Sequence, residues 1–451
     1  MMRKQRVLLI GSGGREHALA EAIARSETII YSVMKSRNPG IARLSKEYLL
    51  GDETDPNYIA EWKLIKFRRE PIDIAFIGPE APLANGVSDK LEEVGIPVVG
   101  PSKKAAMIES SKEFMRDLMK KNHIEGYVEH FVFTDKRELE AFIEEYEKPF
   151  VVKPVGLTGG KGVKVMGEHF KTKEEGLEYA KEVIDKKIGG FDRVIIEEKM
   201  VGEEFTLQAF TDGYDIKPMP LVQDFKRAYE GDLGPNTGGM GSYSCENHLL
   251  PFISYHHYAK AVKILEDILA AMRREGIIYK GVIYGQFMHT ADGPKVIEIN
   301  CRFGDPEAIN VLPILQTDIL EIGWAIVEKK LSSLKIEFEN TATVVKYVVP
   351  EGYGTNPLKG EEIKINEKEV ERKGVKIYYA SVHEENGKIY TTTSRSIALF
   401  AKSKDLYEAS QRINEAFEHI HGKIFYRRDI ATKEMIEGKV RKMQELLGEN
   451  F

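Results

Sequence analysis

The apolar run Val296, Ile297, Ile299 is interrupted by Glu298 and Asn300, and Arg302 follows two residues on. Successive side chains of a strand point to opposite faces, so Glu298 and Asn300 leave the same face. That face then carries a carboxylate and an amide oxygen, with a guanidinium at its end. Hard dications such as Mg²⁺ take oxygen ligands and commonly share them with substrate phosphates. A guanidinium beside such a cation can hold the charge that develops on a transferring phosphoryl group. An ordinary half-buried strand ending in a Gly304-Asp305-Pro306 turn would read the same way, so the choice rests on the other motifs.

The glycine-rich segment Gly156–Gly162 carries Lys161 and lies between two expected strands, Phe150–Lys153 and Lys164–Met166. A P-loop must open a helix and follow its lysine with Ser or Thr, which excludes that reading. A glycine-rich turn between strands folds its backbone N–H groups over phosphates, and Lys153 adds a point charge beside it. Further on, Ile195–Glu197 runs into Met200 and then Glu203-Glu204. A strand entering a connector offers backbone groups to a planar base, and a following carboxylate can accept from ribose hydroxyls. By itself this acidic stretch reads equally as a solvated surface.

These residues need elements to position them. Arg6–Ile10, Ile72–Ile77 and Pro97–Val99 read as strands, and Glu16–Arg25 and Val87–Val94 as helices. Strand and helix in alternation imply a doubly wound parallel sheet, whose ligands sit beyond the carboxyl ends of its strands. Gly11–Gly14 and Gly78–Pro82 lie at two such ends. Residues 103 to about 130 read as helical, and Lys173–Ile184 as a helix. Arg193–Glu197 and Phe205–Phe210 are expected strands, Pro218 to Gly241 is loop-rich, and His256–Gly276 is helical. Lys280–His289 and Lys295–Asn300 read as a hairpin turned at Ala291-Asp292-Gly293. Ile309–Glu328 is expected to be one helical stretch. Ala342–Val348, Lys376–Ser381 and Ser396–Phe400 are strands of a smaller last unit, closed by a helix over Leu406–His421.

The chain has 451 residues, a length for roughly three domains, and 42% hydrophobic residues, enough for real cores. Its 65 basic and 71 acidic residues give a net charge of −6, which argues against a nucleic-acid partner. Cys245 and Cys301 have no metal-ligand spacing and fit a reducing compartment. Val7–Ile10 is too short for a signal peptide, and no segment approaches a membrane span.

Taken in order, Gly11–Ala18, Gly78–Leu83, Ser111-Lys112, Gly159–Gly162, Gln223–Arg227, Gly234–Gly241 and Asn300–Glu307 resemble the ATP-grasp superfamily. Within it the whole chain is similar to the phosphoribosylamine–glycine ligase family. The resemblance implies a multidomain α/β and α+β fold. Residues 1–103 would be a doubly wound, Rossmann-like substrate domain, 104–328 an ATP-grasp domain with a mobile lid at about 120–200, and 329–451 a small α+β domain. It implies ligation of glycine to 5-phosphoribosylamine with ATP, through an acyl phosphate, using two Mg²⁺ or Mn²⁺ ions bound with ATP. By the family's pattern Glu298 bridges both ions, Asn300 joins one, and Gln286 takes the third ligand position, where related enzymes carry a carboxylate. Lys112 and Lys153 would hold phosphates under a cover formed by Leu157, Thr158, Gly159, Gly160 and Gly162. Glu197 and the Met200 backbone would read adenine, and Glu204 the ribose. Arg302, Asp305 and Lys161 are the implied catalytic residues, Asp305 receiving a substrate ammonium. Gly13, Gly14, Arg15, Glu80, Asp224 and Arg395 are the implied contacts to phosphoribosylamine and glycine. The partners would be these small molecules, without nucleic acid or membrane, for a cytoplasmic monomer or weak homo-oligomer.

Rival readings are another ATP-grasp purine enzyme, such as a formate-dependent transformylase, and a non-catalytic nucleotide-binding protein. Intact Glu298, Asn300 and Arg302 argue against the latter. A nicotinamide oxidoreductase is disfavoured because Arg15-Glu16-His17 stands where a dinucleotide fingerprint needs its third glycine. His256-His257 reads as surface or packing, His17 as a cap or core group, and Cys301 as a buried apolar residue. Arg427-Arg428 reads as a solvated charge pair, and Lys388 as a remote phosphate contact.

Overall fold

The computed structural model describes residues 3–66, 71–158 and 162–448. Its first sheet is wholly parallel, in the order Ser45–Leu50, Thr28–Met34, Gln5–Ile10, Ile74–Ile77, Val98–Val99. Val7 to Ile10 are fully buried, as a strand covered on both faces must be. Strand order reverses between Gln5–Ile10 and Ile74–Ile77, so Gly11 and Gly78 leave the sheet at the switch point. Gly11 has φ 126°, and a Cβ there would lie 2.4 Å from Glu16 Cγ, so only glycine lets the chain turn into the helix Gly14–Ala24.

The body of the central unit is an antiparallel sheet ordered Ile216–Pro218, Glu203–Thr211, Gly281–Thr290, Gly293–Asn300. The helix Tyr255–Arg274 buries Ile264, Leu265, Ile268 and Leu269, the one-face spacing of an amphipathic helix. In the expected hairpin Gln286 pairs with Glu298 but Phe287 pairs with Val296, so a bulge leaves Ile297 unpaired. The Ile297 carbonyl is thereby free to accept from Arg116 Nη2 at 3.1 Å.

A second antiparallel sheet, His130–Phe133, Val194–Glu198, Phe150–Pro154, Lys164–Val165, stands over the body with the helices Lys136–Glu145 and Lys173–Asp185. Leu139, Phe150, Val152, Val183 and Ile196 give it a core separate from the main one.

Three sequence-based expectations change. The segment expected to be loop-rich supplies Gln223–Asp224 and Gly241–Ser244, which join Ala342–Pro350, Ile397–Ser403 and Lys376–Tyr379 in one sheet. The stretch Ile309–Glu328 is broken into Glu307–Val311, a turn over Leu312–Ile314, and Ile319–Val327. Pro313 can donate no N–H, and Asp318 caps the last helix by accepting from Leu320 N–H at 2.8 Å. The helix from Leu406 ends at Ala416, and another, Lys433–Leu447, follows. Among the described residues no helix is long and apolar enough to cross a membrane.

Candidate active site

A cavity of about 760 Å³ opens between the two central sheets and reaches Arg15 and Glu80 of the first unit and Arg395 of the last. Glu298 and Asn300 stand side by side on its floor, Asn300 Nδ2 donating to Glu298 Oε1 at 3.2 Å. Burial opposes ionisation of Glu298, but the Lys226 and Lys112 cations outweigh it and hold its pKa below the usual carboxylate value. Lys226 donates to Glu204 Oε2 at 2.6 Å. Burial works against its charge, yet Glu204, Asp224 and Glu298 together push its pKa up. Burial raises the pKa of Asp224 against the pull of Lys226.

Gln286 does not offer an oxygen to this floor. It is fully buried, and its Oε1 accepts from Thr206 Oγ1 at 3.0 Å and from the Tyr284 hydroxyl. Its Nε2 donates to Glu204 Oε2 at 2.9 Å and Asp224 Oδ1 at 3.4 Å. The expected third metal ligand is therefore corrected to a brace beneath the acidic groups. Glu298 and Asn300 fit a hard dication whose remaining oxygens come from phosphate. Among the described residues no three His, Cys, Asp or Glu side chains form a self-sufficient metal site.

Above the floor, Lys112 begins a helix capped by Ser111, and its Nζ donates to Gly156 O at 3.0 Å. Lys153 is 5% exposed, with Nζ 2.5 Å from Glu197 Oε2. Burial lowers the Lys153 pKa against the attraction of Glu197. Glu197 also accepts from Arg116 Nε at 2.7 Å and Nη2 at 3.0 Å. Despite burial, these two cations take its pKa down to about 2. Glu197 thus fixes Lys153 as well as lining the cavity beside Met200. Met200, Leu157, Thr158 and Glu204 line the cavity. Gly159, Gly160 and Lys161 lie outside the described residues, and the Gly162 carbonyl accepts from the Tyr179 hydroxyl at 2.7 Å.

At the far end, Arg302 Nε lies 3.3 Å from Glu80 Oε2, and Nη2 lies 3.1 Å from Glu109 Oε1. Burial opposes ionisation of Glu80, but Arg302 and Arg15 take its pKa down to about 2. Arg15 Nη1 donates to Phe303 O at 3.0 Å, and its Nε pairs with Glu16 Oε1 at 2.5 Å. Gly13 N–H donates to Glu16 Oε2 at 2.6 Å, so the turn expected to contact the substrate carries a carboxylate of its own. Gly14 lies under the Tyr347 hydroxyl, which would stand 2.4 Å from a Cβ there. Asp305 accepts from that hydroxyl at 2.5 Å and pairs with Arg395 at 3.3 Å, while the helix cap falls on Pro306.

Sequence reasoning assigned no role to Lys226, though it lies in a quoted motif, nor to Glu109, Arg116, Tyr284 or Tyr347. The Glu109 carboxylate accepts Cys301 N–H across 192 residues, a pairing no local spacing announces. Cys301 is 2% exposed, and His257 Nδ1 contacts the capping Ser254 Oγ at 2.8 Å, both as expected. Arg427 is corrected: it is fully buried between Asp232 and Asp429, each at 2.7 Å. Lys388 stays exposed beside Glu362, away from the cavity.

Residues 5–109, 110–308 and 343–433 match the N domain, ATP-grasp (A) domain and C domain of phosphoribosylglycinamide synthetase. The phosphoribosylamine–glycine ligase of Methanothermobacter thermautotrophicus is 51% identical over 98% of this chain and 99% of its own. That of Methanococcus maripaludis is 52% identical over the same shares, 98% and 99%. The crystal structure of the Thermotoga maritima phosphoribosylamine–glycine ligase superposes with a TM-score of 0.78 at 28% identity, covering 94% of this chain and 99% of that one. The three-unit architecture, the acidic floor and the matches along the chain agree, and the chain belongs to the phosphoribosylamine–glycine ligase family.

Proposed function

We propose that this chain ligates glycine to 5-phosphoribosylamine, giving glycinamide ribonucleotide, ADP and phosphate in purine biosynthesis. A carboxylate does not acylate an amine directly, because its oxygen is a poor leaving group. A glycine carboxylate oxygen attacks the ATP γ-phosphorus, ADP leaves, and glycyl phosphate forms. The amine nitrogen then attacks the carbonyl carbon, phosphate departs with that oxygen, and the nitrogen loses a proton. Positioning and charge neutralisation supply most of the rate.

Lys112 and Lys153 hold the ATP phosphates, Leu157 to Gly162 supply further contacts to them, and Lys161 joins the catalytic residues. The Met200 backbone takes the base and Glu204 the ribose. Glu298 and Asn300 would hold two Mg²⁺ or Mn²⁺ ions, which would supply positive charge to neutralise the phosphates. Arg302 stabilises the transferring phosphoryl group, Asp305 and Asp224 take the glycine ammonium, and Gly13, Gly14, Arg15, Glu80 and Arg395 hold the phosphoribosyl amine. Units at 1–103, 104–328 and 329–451, a cytoplasmic location and a monomer or weak homo-oligomer belong to the same reading.

One observation carries it: Arg302 follows two residues after the strand that bears Glu298 and Asn300, and pairs with Glu80 of the first unit. The phosphate side and the amine side of the cleft therefore meet at one guanidinium. ADP release measured with glycine, phosphoribosylamine and Mg²⁺, each omitted in turn, tests it. Release should need all three, and release indifferent to glycine would refute the ligase.

A further inference from the structure

The helix Lys433–Leu447 begins where the C-domain match ends, and it reaches the nucleotide end of the cleft. Ile436 and Met443 anchor it in the core, and Lys439 shares their face at helical spacing. Lys439 Nζ passes 5.3 Å from the Phe225 ring centre to lie 2.9 Å from Glu203 Oε2 and 3.6 Å from Asp232 Oδ2. Lys442 Nζ lies 2.6 Å from Glu203 Oε1 and donates to Gly202 O at 2.8 Å. Each oxygen of Glu203, a side chain only 8% exposed, therefore faces one lysine of the terminal helix. Both lysines line the cavity with Met200, Val201 and Gly202.

Glu203 opens the body strand, and strand alternation sends the next residue the other way. Glu204 accordingly pairs with Lys226 and Gln286 on the floor. Two consecutive carboxylates thus pin the start of this strand, one to the terminal helix and one to the floor. The four residues Lys199–Gly202 just before it join the second antiparallel sheet, through Val194–Glu198, to the body.

We propose that Lys439 and Lys442 are positioning residues for the nucleotide. They fix the connector 199–202 so that base and ribose meet a preorganised edge, and they touch no reacting atom. This rests on the reading above that the base lies along that connector.

The test uses the full chain with Lys439→Met and Lys442→Met, singly and together, which keep the aliphatic stems. The KM for ATP and the calorimetric Kd for ADP should rise on the order of tenfold, with kcat and the KM for glycine held within about twofold. Lys442→Arg should restore both nucleotide constants. Arg441→Met, on the exposed face where the guanidinium pairs with Glu437, should leave them unchanged. Unchanged nucleotide constants with a lowered Tm would show the helix to be mere glue and overturn the proposal, as would an equal rise in both KM values. If the double variant does not fold, Lys442→Met alone decides, since that side chain is 53% exposed. ADP calorimetry needs no turnover, so a wild-type chain inactive with glycine would sink the ligase reading without sinking this one.

Discussion

Arg302 and Glu80 are joined at 3.3 Å although 222 residues separate them in the chain. Glu109 holds the same guanidinium from a second direction at 3.1 Å, and the Tyr284 ring centre lies 5.7 Å from it. A guanidinium so restrained needs little reorganisation when negative charge develops beside it, which is what electrostatic catalysis requires.

Arg302→Ala should therefore lower kcat by about 10²–10³ while the KM for ATP changes little. Steady-state kinetics with saturating glycine checks this. Near-normal turnover would remove Arg302 from the chemistry.

Glu298→Gln keeps shape and hydrogen bonding but removes the charge that a dication needs. Lys226 still faces Glu204 and Asp224, so the fold should stand. Turnover should become undetectable across an Mg²⁺ titration while the Tm without nucleotide stays put. An unaltered metal requirement would contradict the ligand assignment.

His17 links the first and last units, its Nδ1 accepting Tyr379 N–H at 2.9 Å. Burial, aided by the Lys376 and Arg43 cations, takes its pKa from 6.5 down to about 3. Between these values the unfolded chain binds a proton that the folded chain refuses. The stabilisation is complete above pH 6.5 and is lost as pH falls through that window, by up to about 1.4 kcal/mol per pH unit. His17→Asn retains an acceptor and lacks this titration, so its stability should fall less steeply with acid in denaturant melts. Parallel slopes would show that His17 is not the group concerned.

The floor was legible in the sequence because strand alternation is local: Glu298 and Asn300 had to share a face. The parallel sheet was legible for the same reason, since doubly buried strands read as unbroken apolar runs. What escaped depends on partners far along the chain. Gln286 loses its oxygen to Tyr284 and Thr206, and Glu197 is neutralised by Arg116, 81 residues away in the chain. Arg427 sits in a charge pattern typical of surfaces, yet Asp232 and Asp429 let it be buried. The strands Gln223–Asp224 and Gly241–Ser244 are too short, and too close to glycines, to show period-two alternation.

The central claim is that glycine is activated in this cleft as an acyl phosphate. Glycine labelled with heavy oxygen in its carboxylate tests it most directly, by mass spectrometry of the inorganic phosphate released during turnover with phosphoribosylamine. The account predicts one labelled oxygen in each phosphate, because the oxygen that attacks phosphorus leaves with it. Phosphate free of label, with product still formed, would contradict it.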